Sequence, residues 1–202
     1  MRNRALLLTA ALAALVGCYV DVPDEVISGV AVATRRDPGA DFAAFQTFRI
    51  NPEWKTLDGD IEVVEPMPTQ IFDTIRQNLL DRGYVEDLTW IPPDGANPPD
   101  LGVQVTGVIG QVTVYYPDYW CDPYYYYSCW YWGWGSVDSY EVGTLIIDLI
   151  DLYGAPVSGN LPTAWTALAY GVLGGYPTYD LPRAIEGIDR AFAQSPYLQA
   201  GN

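Results

Sequence analysis

The run Thr144-Leu145-Ile146-Ile147-Asp148-Leu149-Ile150 is apolar almost throughout, broken inside only by Asp148. A strand with apolar side chains on both faces needs cover on both, so this run reads as a central strand of a sheet. Tyr153-Gly154-Ala155-Pro156 punctuates its end, and a hairpin back to a strand over Ala164 to Tyr170 follows. Leu101, Val103 and Val105 alternate with Gly102, Gln104 and Thr106, and the pattern runs on weakly to Val114, giving one long strand or two. Val26 to Thr34 reads as a first strand, and Thr47 to Ile50 as a second after the Asp37-Pro38-Gly39 turn, with partners far downstream.

Two segments carry helical spacing instead. From Thr69 to Arg82, Ile71, Ile75 and Leu79 recur at every fourth position, Phe72 and Leu80 widen the stripe, and Gly83 offers a stop just beyond. Near the other end, Leu181, Ala184, Ile185, Ile188, Ala191 and Phe192 share one face, with Asp180 as N-cap and Pro182 in the first turn. These elements predict an α+β fold: a single domain with a mostly antiparallel sheet and two helices packed on one face.

The first eighteen residues stand apart. Arg2 and Arg4 form a positive start, and Ala5 to Val16 is apolar except for Thr9, which reads as a signal-peptide core. The stretch is too short to cross the ~30 Å hydrocarbon core, which takes about twenty residues. Its end, Leu15-Val16-Gly17-Cys18, resembles the lipobox of bacterial lipoproteins. That resemblance implies cleavage before Cys18 and acylation of its thiol. At about 0.8 kcal/mol per buried CH₂, more than one acyl chain makes a stable anchor. Tyr19 stands where an Asp retains some lipoproteins in the inner membrane, which points to the outer membrane. Residues 1–17 are thus expected to be a signal peptide, 18–25 a lipidated N terminus and linker, and 26–198 the domain.

Cleavage leaves 185 residues, enough for one core of ordinary size. Loss of Arg2 and Arg4 takes the formal charge from −15 to −17, which repels nucleic acid and anionic headgroups. Two further cysteines, Cys121 and Cys129, lie close together in a chain read as exported, where disulfides persist, so they are expected to pair. Closing so short a loop contributes on the order of 2.5 kcal/mol. Zinc fits less well, since four N or S ligands are wanted and the chain has no His.

Asp41-Phe42-Ala43-Ala44-Phe45-Gln46-Thr47-Phe48, Leu79-Leu80-Asp81-Arg82-Gly83-Tyr84, Pro99-Asp100-Leu101-Gly102-Val103, Gly143-Thr144-Leu145-Ile146-Ile147-Asp148 and Trp165 occur in a telling order. In that order and spacing the chain resembles the bacterial lipoprotein family DUF4136, a domain of unknown function, over most of its mature length. The resemblance implies a lipobox, an α+β fold and no assigned activity, and it supplies no catalytic residues. The chain departs from the family pattern in two places. The family usually has a basic residue soon after the Trp, where Thr166 and Ala167 stand here, and its aromatic segment is poorer than this one.

That segment, residues 115–134, holds twelve aromatics in twenty positions and no Lys or Arg. It reads as a hairpin insertion stapled by the Cys121–Cys129 disulfide. Stacking platforms for nucleic acid pair aromatics with basic grooves, so that use is excluded. The bland reading is a low-complexity loop partly packed on the sheet. The functional readings are contact with a glycan, a protein or a lipid surface, by Trp120, Tyr124, Tyr125, Tyr126, Tyr127, Trp130, Trp132 and Trp134. Without His, Ser-His-Asp and Cys-His machinery is excluded, and a carboxylate pair is the enzyme route left. Asp148 with Asp151, or Asp118 with Asp122, are the pairs available. Asp148 and Asp151, three apart on one strand, should face opposite ways. Asp58-Gly59-Asp60 lacks the further ligands of a calcium loop and reads as a turn.

The expectation is therefore a non-enzymatic envelope lipoprotein without cofactor or metal, held to the outer membrane through Cys18. Its partner would be an envelope protein or, alternatively, peptidoglycan or another polysaccharide. A carboxylate glycosidase is the remaining enzymatic alternative.

Overall fold

A computed structural model of the chain describes residues 30–57, 67–89, 98–108, 112–115, 119–121, 137–140, 143–153, 159–174 and 177–201. Its frame is a seven-stranded sheet. Along one path run β1 (Ala31–Arg36), β11 (Thr163–Tyr170), β9 (Thr144–Asp151), β5 (Leu101–Val108), β2 (Thr47–Ile50) and β4 (Val85–Glu86), while β3 (Lys55–Leu57) also pairs with β5. The long ladders among β1, β11, β9 and β5 are antiparallel, and the short ones made by β2, β3 and β4 are parallel. By residues paired, the sheet is mostly antiparallel, as predicted. The apolar run is β9, which lies at the centre with β5 on one side and β11 on the other.

Period two sorts the side chains. Leu101, Val103 and Val105 of β5, Leu145, Ile147 and Leu149 of β9, and Trp165, Ala167 and Ala169 of β11 share one face and the main core. Both helices contribute to that same core. Helix α1 (Met67–Leu80) brings Ile71, Ile75 and Leu79, and α2 (Pro177–Ala193) brings Ala184, Ile188, Ala191 and Phe192. At Gly187 an added Cβ would come within 2.7 Å of the Ala169 Cβ, so glycine lets α2 lie close on β11. Gly83 ends α1 at φ 87°, with Gly83 N–H bonded to Leu80 O and Tyr84 N–H to Leu79 O, a Schellman pattern.

Some boundaries differ from those read in the sequence. β1 runs to Arg36, and Val26 to Gly29 lie outside the described residues. The alternating stretch from Leu101 divides: β5 ends at Val108, and β6 (Val112–Tyr115) leaves the main sheet to pair with β8 (Val137–Tyr140). Helix α2 starts at Pro177, so Asp180 lies in its first turn rather than at its cap and Pro182 falls inside it. Pro177, whose missing N–H has no helical partner to lose, takes the first position. Asp58-Gly59-Asp60 lies outside the described residues.

Candidate functional site

The sheet face away from the main core carries a line of polar side chains. Register sets Gln104 opposite Asp148, Asp148 opposite Thr166, and Thr166 opposite Arg35, so one row crosses four neighbouring strands. At its other end the Asn51 amide donates to Gln104 Oε1 at 2.8 Å, and Gln104 Nε2 donates to Val105 O at 2.8 Å. Thr166 Oγ1 donates to Asp148 Oδ1 at 2.6 Å. Asn51, Gln104, Asp148 and Thr166 are all buried. A buried carboxylate is costly without donors, and the Thr166 hydroxyl is one of them. The row closes on a cavity of about 250 Å³ lined by Arg35, Arg36, Asp37, Pro38, Thr163 and Thr166.

Around this row the motif residues build frame. Asp100 Oδ2 accepts from Gln46 N–H at 2.7 Å, Thr47 N–H at 2.9 Å and Thr47 Oγ1 at 3.1 Å, which ties the start of β2 to the start of β5. Tyr84 donates its buried hydroxyl to Phe42 O, and burial pushes its pKa up to about 12. Trp165 is fully buried, stacks at 5.2 Å on Phe192, and donates from Nε1 to the buried Ser195 Oγ at 2.9 Å. Gly143 sits at φ 84°, and its carbonyl accepts from Val172 and Leu173 N–H while Leu173 O approaches. Each of these contacts joins segments distant in sequence.

The candidate carboxylates separate as predicted. Asp148 belongs to the polar row, whereas Asp151 pairs across from Leu101 and lies three residues on, to the other side of β9. Burial, with help from Asp100 and Asp37, raises the Asp151 pKa, while the Tyr153 N–H bond opposes that shift. These two acids therefore do not flank a common point. Asp118 and Asp122 lie outside the described residues.

The aromatic segment is described only at its margins. β7 (Tyr119–Cys121) pairs antiparallel with β10 (Gly159–Leu161), setting Trp120 across from Asn160 and Cys121 across from Gly159. Cys18, Cys129, Tyr124 to Tyr127, Trp130, Trp132 and Trp134 lie outside the described residues, and with them the predicted disulfide and lipid site. Among the described residues no group of three or more Cys, Asp or Glu is placed to hold a metal, and no helix is long and apolar enough to cross a membrane. The cavity and the polar row were not anticipated. Each of these polar residues alternates with core-facing neighbours, Gln104 and Thr106 with Val103 and Val105, Asp148 with Ile147 and Leu149, and Thr166 with Trp165 and Ala167, and that alternation is the signal the sequence offers.

The fold has counterparts. A family protein from Bacteroides thetaiotaomicron is similar with a TM-score of 0.60 at 24% identity, over 85% of this chain and 98% of that one. A PDZ domain protein from Parabacteroides distasonis matches with a TM-score of 0.46 at 19% identity, over 86% of this chain and 38% of that one. The PelC dodecamer from Paraburkholderia phytofirmans matches with a TM-score of 0.41 at 12% identity, over 86% of this chain and 99% of that one. No curated protein matches the sequence significantly. The family model for the domain of unknown function DUF4136 matches residues 32–197, which takes in the sheet and both helices. The chain belongs to the DUF4136 family.

Proposed function

We propose that this chain is a lipoprotein anchored in the outer membrane through Cys18, and that its domain is a non-enzymatic interaction or structural module of the cell envelope. The observation that carries the anchoring is the sequence Leu15-Val16-Gly17-Cys18 placed directly behind the charged and apolar leader. The structural role of the motif residues supports the rest. Asp100, Tyr84, Gly143 and Trp165 each hold distant segments together, and Asp148 and Asp151 face apart. Such a frame suits presenting a surface more than running a reaction.

The anchoring is tested by growing cells that express the full chain with a clickable fatty-acid analogue. Label on the wild type and none on Cys18→Ser, with Cys18→Ser lost from the outer-membrane fraction, is the expected result. Equal outer-membrane recovery of both without label overturns the anchor.

A second reading rests on the aromatic segment, in which Trp and Tyr stack on glycan rings while no cation competes for phosphates. It predicts that the full chain in neutral detergent co-sediments saturably with purified peptidoglycan. Replacing residues 115–134 by a short Gly-Ser turn should abolish this. If neither protein sediments while both remain folded, the glycan reading fails and protein contact stands.

A further inference from the structure

We infer that the sheet face turned away from the helices is the docking site of the chain's own β6/β8 ribbon, which folds back at Gly143 across the polar row instead of projecting from the domain. All eight residues of β5 and seven of the eight of β9 are buried, although both helices add their side chains to the other face. With the helices alone as cover, these strands would alternate buried with exposed positions. Thr106, Thr144, Ile146 and Leu168 instead join the polar row beneath a second cover. Arg35, Thr144, Asp148 and Tyr170, all on this face, each hold a further interaction.

Chain length identifies the cover. β5 ends at Val108 beside Thr144, at one end of the sheet, and β9 ends at Asp151, at the other. β10 joins that far end, because Asp151 N–H donates to the carbonyl of Pro162, the residue after Leu161. β7 in turn pairs with β10, with Tyr119 across from Leu161. From Thr144 to Asp151 the sheet is ~23 Å long at ~3.3 Å per residue. A ribbon running straight on from β5 and β9 would carry Tyr115 another ~23 Å outward, leaving it on the order of 40 Å from Tyr119. The four residues from Tyr115 to Tyr119 reach at most ~14 Å. The ribbon therefore turns back over the sheet, and the helices leave it only the second face. Gly143 stands at the turn with φ 84°, its N–H donating to Val108 O and its carbonyl accepting from Val172 and Leu173 N–H. The aromatic segment then begins at β6 on a layer of the domain rather than on a free arm, whether its partner is a glycan or a protein.

The distance between two nitroxide labels, measured by double electron–electron resonance on the full chain in neutral detergent, tests this. One label stands at Tyr153, exposed just beyond β9, and the other at Asp138 or Ser139 of β8. Each is introduced through a ketone-bearing amino acid, so the native cysteines stay untouched. Asp138 and Ser139 point to opposite faces of the ribbon, so one of them points away from the sheet and tolerates the label. The site that keeps the wild-type urea midpoint is the one read. A ribbon packed ~10 Å above the second face sets the labels ~20–30 Å apart, whereas a projecting ribbon sets them ~45 Å apart. A main distance below ~33 Å is the expected result, and one at or beyond ~33 Å overturns the docking of the ribbon on this face.

Discussion

Asp100→Ala should be among the most damaging substitutions outside the apolar core. The carboxylate accepts three hydrogen bonds through one oxygen, from Gln46 N–H, Thr47 N–H and Thr47 Oγ1. Water can replace it at the exposed Gln46 amide but less well at the half-buried Thr47 donors. Counting the two Thr47 contacts at about 1.5 kcal/mol each, as for bonds to a charged acceptor, Asp100→Ala costs about 3 kcal/mol. Asp100→Asn keeps an acceptor oxygen and loses only the charge, so about 1 kcal/mol is expected. In urea unfolding, with a slope of about 2 kcal/mol/M, the midpoints fall by roughly 1.5 M and 0.5 M at unchanged slope. Thr47→Val removes one of the same contacts, and its cost should be non-additive with that of Asp100→Ala. A midpoint change below about 0.3 M for Asp100→Ala would refute the idea that this carboxylate joins β2 to β5.

Three other outcomes follow from the packing and the buried acids. Gly143→Ala should cost at least ~1–2 kcal/mol for its positive φ, and more because the new Cβ would stand 2.7 Å from Leu173 O; thermal unfolding measures it, and a neutral effect counts against the close approach. Ser195→Ala leaves the buried Trp165 N–H without its acceptor and should cost about 1–3 kcal/mol by urea midpoint, while adding Trp165→Phe should cost less than the sum of the singles. Tyr84 titrates higher in the folded chain, about 12 against 10, so the folded state holds that proton more tightly. Its contribution, up to roughly 2–3 kcal/mol, is whole below pH 10 and disappears as pH rises towards 12, and Tyr84→Phe should flatten that part of the stability curve.

Local pattern made the long elements legible. The apolar run became β9, Thr47 to Ile50 became β2 without change, and the Ile71, Ile75 and Leu79 stripe became the buried face of α1. Gly83 showed its role in advance because only a residue at ease with positive φ closes that helix. Short strands left no trace: β3, β4 and β10 have two or three residues each, too few for a period of two to register. The early start of α2 was hidden by Asp180, which has the chemistry of a cap yet lies in the first turn. For the site, parity told which residues share a face, but not which strands are neighbours. Arg35 meets Thr166 only because β1 crosses the chain to pair with β11.

That crossing gives meaning to the departure at Trp165. The family pattern places a basic residue soon after this Trp, whereas Thr166 stands next here and meets Asp148 with a neutral hydroxyl. The neighbouring strand sets Arg35 in register with the same Thr166, so a cation still belongs to the row but comes from β1. Two donor–acceptor pairs then link the row, with Asn51 donating to Gln104 and Thr166 donating to Asp148. Val108, Ile146 and Leu168 form a smaller buried cluster on this same face, so it is not an ordinary solvent face. Placing polar groups there carries a desolvation cost that apolar side chains would avoid. What they add is register. A slip of β11 by one residue would send Trp165 out of the main core and, in the same step, separate Thr166 from Asp148, so the two faces specify one alignment twice.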